Sequence, residues 1–236
     1  MSSPETTPLL TSDTFESLRK LDACTLANAI ETFRERLRNE GFMDSSVRCL
    51  FPRLEPMLGY AATILIRGSA PAFAGPAYAD RTDWWDYVQS LPSPRVLVVQ
   101  DSATQTGLGS LVGEVHMNIL RALGCVGVVT NGAVRDIPQA EKAGFHYFAA
   151  NASVSHAYVH IVEFGKPVRV GGLKVHSGDL IHGDLHGVQS IPLEIAAKLP
   201  PIAAKVAGEE QAIVDLCQAP DFSVEKLRQA VNKTRV

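Results

Sequence analysis

The chain has 236 residues, of which 46% are hydrophobic and 20% are charged, and its formal net charge is −3. Because the basic residues are scattered, the composition predicts no positive surface for a nucleic acid. No apolar run has the length of a membrane span, and the first residues lack the pattern of a secretory signal. We therefore expect a cytoplasmic protein that does not bind membranes, with a core large enough for a single domain.

The N-terminal part of the chain predicts an arm followed by helix. Residues 1–11 carry no hydrophobic period and are expected to form a flexible arm, whereas residues 12–236 are expected to form one α/β domain. Between Ser12 and Gly41 the apolar residues recur at helical spacing, in two pieces that separate near residues 22–25. A helical segment thus precedes the main fold.

Strand signals occupy the middle of the chain. Residues 59–66 and 96–100 are short apolar runs of the kind found in sheets covered on both faces. Between them lie a loop rich in Pro, Ala and Gly, at residues 68–76, and a short predicted helix at residues 83–88. Further strands are predicted at residues 125–130, 146–149 and 168–175.

The last third of the chain changes from turns to helices. Gly-Asp pairs at residues 178–179 and 183–184 tolerate tight turns and predict a hairpin. Helices are predicted at residues 193–199, 202–217 and 223–231, with Pro200 and Pro201 breaking the first from the second. The helices from about residue 193 are expected to pack on a neighbouring subunit.

Two short motifs carry the candidate chemistry. Gly113 and Glu114 end a glycine-rich turn that begins at Gly107, and Arg135 and Asp136 follow the strand predicted from residue 125. The intervening segment predicts a helix and then a parallel strand. Such a unit would place Glu114 and Asp136 at the same edge of a sheet.

Each motif has a chemical and a structural interpretation. The amides of Val115 and His116, in the first turn of the helix, could bind a carboxylate or phosphate, although such glycines more often only permit a tight connection. Arg135 suits a carboxylate or an enolate oxygen, and Asp136 suits a divalent cation. Alternatively, Asp136 is the N-cap of a helix over residues 137–143.

The same residues resemble a known family. Gly113-Glu114, the run of residues 128–134 that leads into Arg135-Asp136, and the segment 183–188 together resemble the 4-hydroxy-4-methyl-2-oxoglutarate aldolases, a family that includes the regulator of ribonuclease E activity A. The resemblance implies an α/β fold with a swivelling β/β/α domain, here with helical extensions at both ends. It also implies homotrimers or homohexamers with active sites between subunits.

For the enzymes of that family the resemblance implies a divalent metal, Mg²⁺ or Mn²⁺. Asp136 would bind it directly, and Glu114 would bind it through water. An acid on the C-terminal helix of a neighbouring subunit, Glu209 or Glu210, would complete the water shell. Glu114 stands where the family most often has aspartate, and its carboxylate can still order water.

The resemblance also implies how substrate binds. Arg135 would hold a pyruvate unit and stabilise its enolate, while the amides of Val115 and His116, next to Gly113, would hold its carboxylate. The motif accordingly predicts a small-molecule 2-oxo acid as the substrate.

The chain departs from the family at the segment 150–160. The aldolases usually carry Arg and Lys there, and His156 and His160 occupy those places. The positive charge that would meet a second substrate carboxylate becomes weak and pH-dependent, so a smaller or neutral tail is an open alternative. On a helix, such an i,i+4 pair could also ligate a metal, although packing is the commoner role of two histidines at this spacing.

Two functions follow from these expectations. The leading one is a metal-dependent lyase that forms a pyruvate enolate, by retro-aldol cleavage of a 4-hydroxy-2-oxo acid or by decarboxylation of oxaloacetate. The alternative is a non-catalytic, protein-binding regulator like the ribonuclease regulator in the family. The acids at positions 209 and 210 favour the enzyme.

Overall fold

A computed structural model describes residues 10–72 and 82–234. Its helices are α1 (Ser12–Arg19), α2 (Ala23–Glu31), α3 (Asp83–Ser90), α4 (Glu114–Ala122), α5 (Ile137–Ala143), α6 (Leu193–Ala196), α7 (Leu199–Gln218) and α8 (Val224–Thr234). Its strands are β1 (Arg48–Cys49), β2 (Met57–Arg67), β3 (Arg95–Asp101), β4 (Ser110–Val112), β5 (Cys125–Val134), β6 (His146–Ala152), β7 (His160–Phe164), β8 (Val168–Val170), β9 (Leu173–Val175), β10 (Leu180–Asp184) and β11 (Gly187–Ile191).

Most strands of the described residues join one sheet. Its order is β1-β6-β5-β3-β2-β10-β11, with β4 paired to β5 and β7 paired to β2. The pairs β2–β3, β3–β5 and β5–β6 are parallel, and α3, α4 and α5 make the crossovers between them. The carboxyl ends of β3 and β5 therefore meet at one edge, where the segments carrying Glu114 and Asp136 begin.

The sheet is covered on both faces, as its continuous apolar strands predict. One core forms beneath α3, α4 and α5 and includes Trp84, Met117 and Leu120, all at most 2% exposed. The other core forms beneath the β8–β9 hairpin and includes Val98, Val170 and Val175. A third cluster joins α1, α2, α6 and the start of α7 to β2 and β10.

The N-terminal helices differ from the predicted length. The helix predicted to reach Gly41 ends at Glu31. The next residue, Thr32, donates its hydroxyl proton to the Ala29 carbonyl at 2.8 Å, and such side-chain bonds compete with continuation of a helix. Arg34 then takes a left-handed conformation with φ of 56°. Residues 1–9 of the predicted arm lie outside the described residues.

Pro200 and Pro201 start a helix instead of separating two. Both lie in the first turn of α7, where a missing N–H costs nothing because it would have no intrahelical partner. The interruption falls earlier, at residues 197–198. Within α7 only Leu199 and Ala203 are buried, so most of this 20-residue helix is at least partly exposed in the single chain.

Two further predictions, of a strand and of a turn, differ from the structure. Gly171 and Gly172, both with positive φ, divide the strand predicted at residues 168–175 into the two strands of a hairpin. Part of the turn predicted before Glu114 is the short strand β4. The predicted loop 68–76 lies partly outside the described residues. No helix among those described is long and apolar enough to cross a membrane.

His146, at the start of β6, should make stability depend on pH. Burial, together with the charge of Arg19, lowers the pKa of His146 to about 4. The unfolded chain, with a pKa near 6.5, then binds more protons, so stability present above pH ~6.5 is lost as pH falls towards ~4. In His146→Phe, whose ring can still stack on Phe148, we expect the loss in unfolding free energy between pH 7 and 4.5 to shrink by about 1–2 kcal/mol.

Urea unfolding of both proteins across this range measures the effect. The difference between wild type and variant should stay constant above pH 7. Parallel stability curves down to pH 4.5 would contradict a titrating His146.

Candidate functional site

The site is built where β4 and β5 end side by side. Val112 pairs with Val134, and the Arg135 amide continues the ladder by donating to the Val112 carbonyl at 3.1 Å. The residues that follow each strand are therefore neighbours. The Glu114 amide donates to Asp136 Oδ2 at 2.8 Å, which confirms that both acidic positions lie at one sheet edge.

Asp136 occupies the N-cap position of α5, as the structural alternative predicted, but its side chain makes no hydrogen bond to that helix. Its backbone is left-handed, with φ of 53° and ψ of 44°, a conformation that aspartate tolerates better than most residues. The carboxylate instead accepts a first-turn amide of α4. The Asp136 carboxylate thus fixes α4 against the start of α5.

Gly113 permits this close approach. A β-carbon at Gly113 would lie 2.6 Å from Asp136 Oδ2 and 2.8 Å from Arg135 Cγ, both well inside van der Waals contact. The backbone of Gly113 is extended, so its torsion angles do not demand glycine. What demands glycine is the space taken by the side chains of residues 135 and 136.

The side chains of Arg135 and Asp136 form a weak ion pair. Arg135 Nε lies 3.5 Å from Asp136 Oδ2, and the two side chains are 30% and 29% exposed. At that exposure an ion pair adds little stability. Asp136 Oδ2 therefore contacts two donor groups, the Glu114 amide and Arg135 Nε, whereas no described residue donates a hydrogen bond to Oδ1.

The donor set suits a hydrated divalent cation. Among the described residues no group of three or more His, Cys, Asp and Glu side chains could hold a metal ion. Mg²⁺ does not require one, since it keeps several waters and binds through one or two carboxylates. Asp136, with Oδ1 available and the exposed Glu114 following the neighbouring strand, fits that requirement.

The first turn of α4 presents backbone amides next to Arg135. The first bond within this nine-residue helix runs from the Met117 amide to the Gly113 carbonyl at 2.8 Å. The amides of Val115 and His116 therefore belong to the turn that points out of the helix N-terminus. Because that end of the helix is positive, it favours an anion at this place.

The side chain of His116 packs into the protein. Its ring stacks on Trp84 of α3, with ring centroids 6.2 Å apart and planes inclined at 24°. Burial, and secondarily the nearby His156, lowers the pKa of His116 to about 4. His116 is consequently neutral at pH 7, and Trp84, 1% exposed, is a core residue.

His156 and His160 do not form a helical pair. Residues 153–159 form an irregular loop, in which Ala157 has a φ of 46°, and His160 is the first residue of β7. His156 Nδ1 donates to the Ser110 carbonyl at 2.7 Å, and His160 Nδ1 donates to the Tyr158 carbonyl at 2.8 Å. Each ring is hydrogen-bonded to a backbone carbonyl, and the two histidines do not share a helix. The hypothesis of an i,i+4 metal pair on one helix face is therefore wrong.

Glu209 and Glu210 lie on α7, away from this cluster within one chain. Glu210 Oε1 accepts a hydrogen bond from Asn28 at 2.8 Å, and Glu209 forms an ion pair with Lys205 at 3.8 Å. Helix α7 packs on α1, α2, α6 and α8. A role for either acid beside Asp136 requires a second copy of the chain.

The sequence does not predict a buried carboxylate that lies next to the site. Asp101, 2% exposed at the end of β3, accepts the amides of Ala103 at 3.0 Å and Gly107 at 2.9 Å. Its own backbone exchanges two hydrogen bonds with the Asn131 side chain, at 2.8 and 3.0 Å. Asp101 thus shapes the loop before β4; the only signal in the sequence is an acid that ends an apolar strand.

A cavity of about 560 Å³ adjoins the cluster on the α5 side. Residues 134–139 form one wall, from the end of β5 into α5, and residues 152–154 form the other. Arg135 and Asp136 therefore face both the first turn of α4 and this cavity.

Comparisons with known proteins agree with this fold. A sequence model described as RraA-like, Aldolase/RraA, matches residues 23–189. A Halalkalibacterium halodurans protein named "Putative 4-hydroxy-4-methyl-2-oxoglutarate aldolase" is 25% identical over 189 residues, which cover 76% of this chain and 90% of that protein.

Similarity to two solved structures is evidence for the fold and not for a function. An uncharacterized Pseudomonas syringae protein has a TM-score of 0.74 at 20% identity and covers 97% of this chain and 99% of its own. Streptomyces coelicolor RraAS2, described as an unusual member of the RNase ES inhibitor RraA protein family, has a TM-score of 0.65 at 20% identity, over 88% of this chain and 96% of its own. The expected α/β fold with helices at both ends is confirmed, and the chain belongs to the RraA-like family.

Proposed function

We propose that this protein is a divalent-metal-dependent lyase that forms a pyruvate enolate. The reaction would be retro-aldol cleavage of a 4-hydroxy-2-oxo acid or decarboxylation of an oxaloacetate-like acid. The observation that supports it most is the contact between the Glu114 amide and Asp136 Oδ2, because it joins an anion-binding helix start, an arginine and a carboxylate in one place.

The 2-oxo acid would bind between α4 and Arg135. The amides of Val115 and His116 would hold the substrate carboxylate at the positive end of the helix. The Arg135 guanidinium would donate to the 2-oxo oxygen, where negative charge grows as the enolate forms. Since the charge of arginine does not depend on pH near neutrality, this stabilisation needs no proton transfer.

Asp136 would hold Mg²⁺ or Mn²⁺ through Oδ1, and the metal would supply Lewis-acid stabilisation of the developing charge. Glu114 would hold a water molecule and move a proton between that water and the substrate. In an assembly of three or six chains, Glu209 or Glu210 of a second copy would add a further carboxylate. The largely exposed α7 supports such packing.

Removing the metal should abolish catalysis, and replacing the Arg135 guanidinium with an ammonium group should weaken it. In pyruvate-release assays with oxaloacetate and 4-hydroxy-4-methyl-2-oxoglutarate, we expect EDTA to abolish activity and excess Mg²⁺ or Mn²⁺ to restore it. Arg135→Lys keeps the charge but loses the planar fork, so kcat/KM should fall about a hundredfold, roughly 2.7 kcal/mol of transition-state stabilisation.

The controls separate enzymatic from spontaneous turnover. Metal ions alone decarboxylate oxaloacetate, so each rate is compared with a protein-free sample at equal metal. Turnover that EDTA leaves intact would contradict the proposal. Purified protein with no turnover above that background, which binds a ribonuclease stoichiometrically, would support the regulator instead.

A further inference from the structure

The cavity beside Arg135 and Asp136 is the natural place for the part of the substrate that departs in the reaction. Arg135 and Asp136 line it, whereas no residue of α4 does, and it opens to solvent past Val154, which is 97% exposed. A pyruvate unit held by α4 and Arg135 would direct its remaining carbons towards this cavity. The residues that line the cavity would therefore influence which substrate is accepted.

The walls are mostly apolar and nearly uncharged. Of the nine described residues that line the cavity, five are aliphatic or proline. The ionised ones are Arg135 and Asp136, which already face each other at 3.5 Å. The two uncharged polar residues are Gln139, on the exposed side of α5, and Ser153, whose hydroxyl donates to the Leu108 carbonyl at 2.9 Å.

A second substrate carboxylate would be poorly accommodated here. It would lie near the Asp136 carboxylate, and among the described lining residues it would find no cation other than Arg135, which the 2-oxo acid engages. Placing a charge against apolar walls without a partner is costly, whereas an alkyl group gains by leaving water. His156 does not line this cavity, and its Nδ1–H is directed to the Ser110 carbonyl.

We propose that the substrate is a 4-hydroxy-2-oxo acid whose substituent at C4 is a small, uncharged alkyl group. This inference rests on the proposed function and specifies its substrate class. In the cleavage, the C4 hydroxyl loses its proton and becomes a carbonyl, the C3–C4 bond breaks, and its electron pair forms the pyruvate enolate. A proton then adds to C3, so the products are pyruvate and an alkyl aldehyde or ketone, without oxidation or reduction.

A matched pair of substrates tests the inference. 4-Hydroxy-2-oxopentanoate and 4-hydroxy-2-oxoglutarate differ only by a methyl group or a carboxylate on C4. With the metal-loaded full-length protein, we expect kcat/KM for pyruvate release to be at least about tenfold higher for the methyl substrate. Equal values, or a preference for the diacid, would overturn the inference.

A charge placed in the cavity should change that preference. Gln139→Arg puts a cation on the lining of α5, and we expect it to raise kcat/KM for the diacid, relative to the methyl substrate, about tenfold. Glu141→Gln makes the same change in net charge at an exposed position of α5 that does not line the cavity, so the ratio should stay as in wild type. A ratio that moves equally in both variants would contradict a role for the cavity.

Exchange of the pyruvate methyl protons in D₂O, followed by NMR, tests the proposed function separately from the substrate class. Enolate formation needs only the pyruvate half, so exchange tests the proposed function without any C4 substituent. Exchange without cleavage of the methyl substrate, or with preference for the diacid, refutes the alkyl class alone. Absence of both exchange and cleavage refutes the proposed function and the inference together.

Discussion

Asp136→Asn is expected to lower metal-dependent pyruvate formation about a thousandfold, the equivalent of roughly 4 kcal/mol of Lewis-acid stabilisation. The substitution removes the negative charge that would hold the cation. Proton exchange of pyruvate and pyruvate release both measure the loss. Titration with Mn²⁺, followed by electron paramagnetic resonance, should show a matching fall in metal affinity.

Asparagine makes this a test of charge and not of folding. Its amide oxygen can still accept the Glu114 amide, and asparagine tolerates the left-handed backbone of position 136. We therefore expect the free energy of unfolding of metal-free protein to change by less than about 1 kcal/mol. Activity within tenfold of wild type would remove Asp136 from the catalytic site.

Gly113→Ala should damage the site through geometry alone. The added methyl group would overlap Asp136 Oδ2 and Arg135 Cγ, so both side chains must move. We expect a loss of about 1–3 kcal/mol in unfolding free energy from overpacking. Displacing the carboxylate and the guanidinium by about an ångström should in addition lower kcat/KM about a hundredfold.

Gly208→Ala is the matched control for that change. Gly208 lies within α7, and a β-carbon there meets no atom within 4 Å. The same substitution should stabilise the helix by about 0.5–1 kcal/mol, since alanine has the higher helix propensity. If both variants lost stability alike, the close approach at Gly113 would not be the cause.

Much of the fold is predictable because buried parallel strands appear in the sequence as unbroken apolar runs. Strands β3 and β5 are predictable in this way, and β5 is longer than predicted because Ala133 and Val134 pair with β6 again after a register shift. Strand β4 could not be identified, since three residues show no period and their pairing with β5 is a long-range contact. Similarly, the prolines of α7 disfavour a helix interior, not a helix start.

The site was predictable in its position but not in its contacts. The crossover from α4 to β5 places Glu114 and Asp136 at one edge, whatever the side chains do. That Asp136 turns away from its own helix and accepts the Glu114 amide depends on a left-handed backbone, which the sequence does not reveal. The irregular loop around His156 is not predictable, because an i,i+4 spacing does not show whether two histidines lie on a helix.

The carboxylate shared between α4 and α5 bears on how this motif would change in evolution. Asp136 ties the start of one helix to the start of another, and the Arg135 amide extends the sheet, whether or not any reaction takes place. Selection for folding alone would keep a hydrogen-bond acceptor at position 136, which asparagine also provides, and a backbone N–H at position 135, which any residue except proline provides. Survival of the Arg-Asp pair itself is therefore not required by the architecture, and turnover distinguishes a working enzyme from an inactive relative.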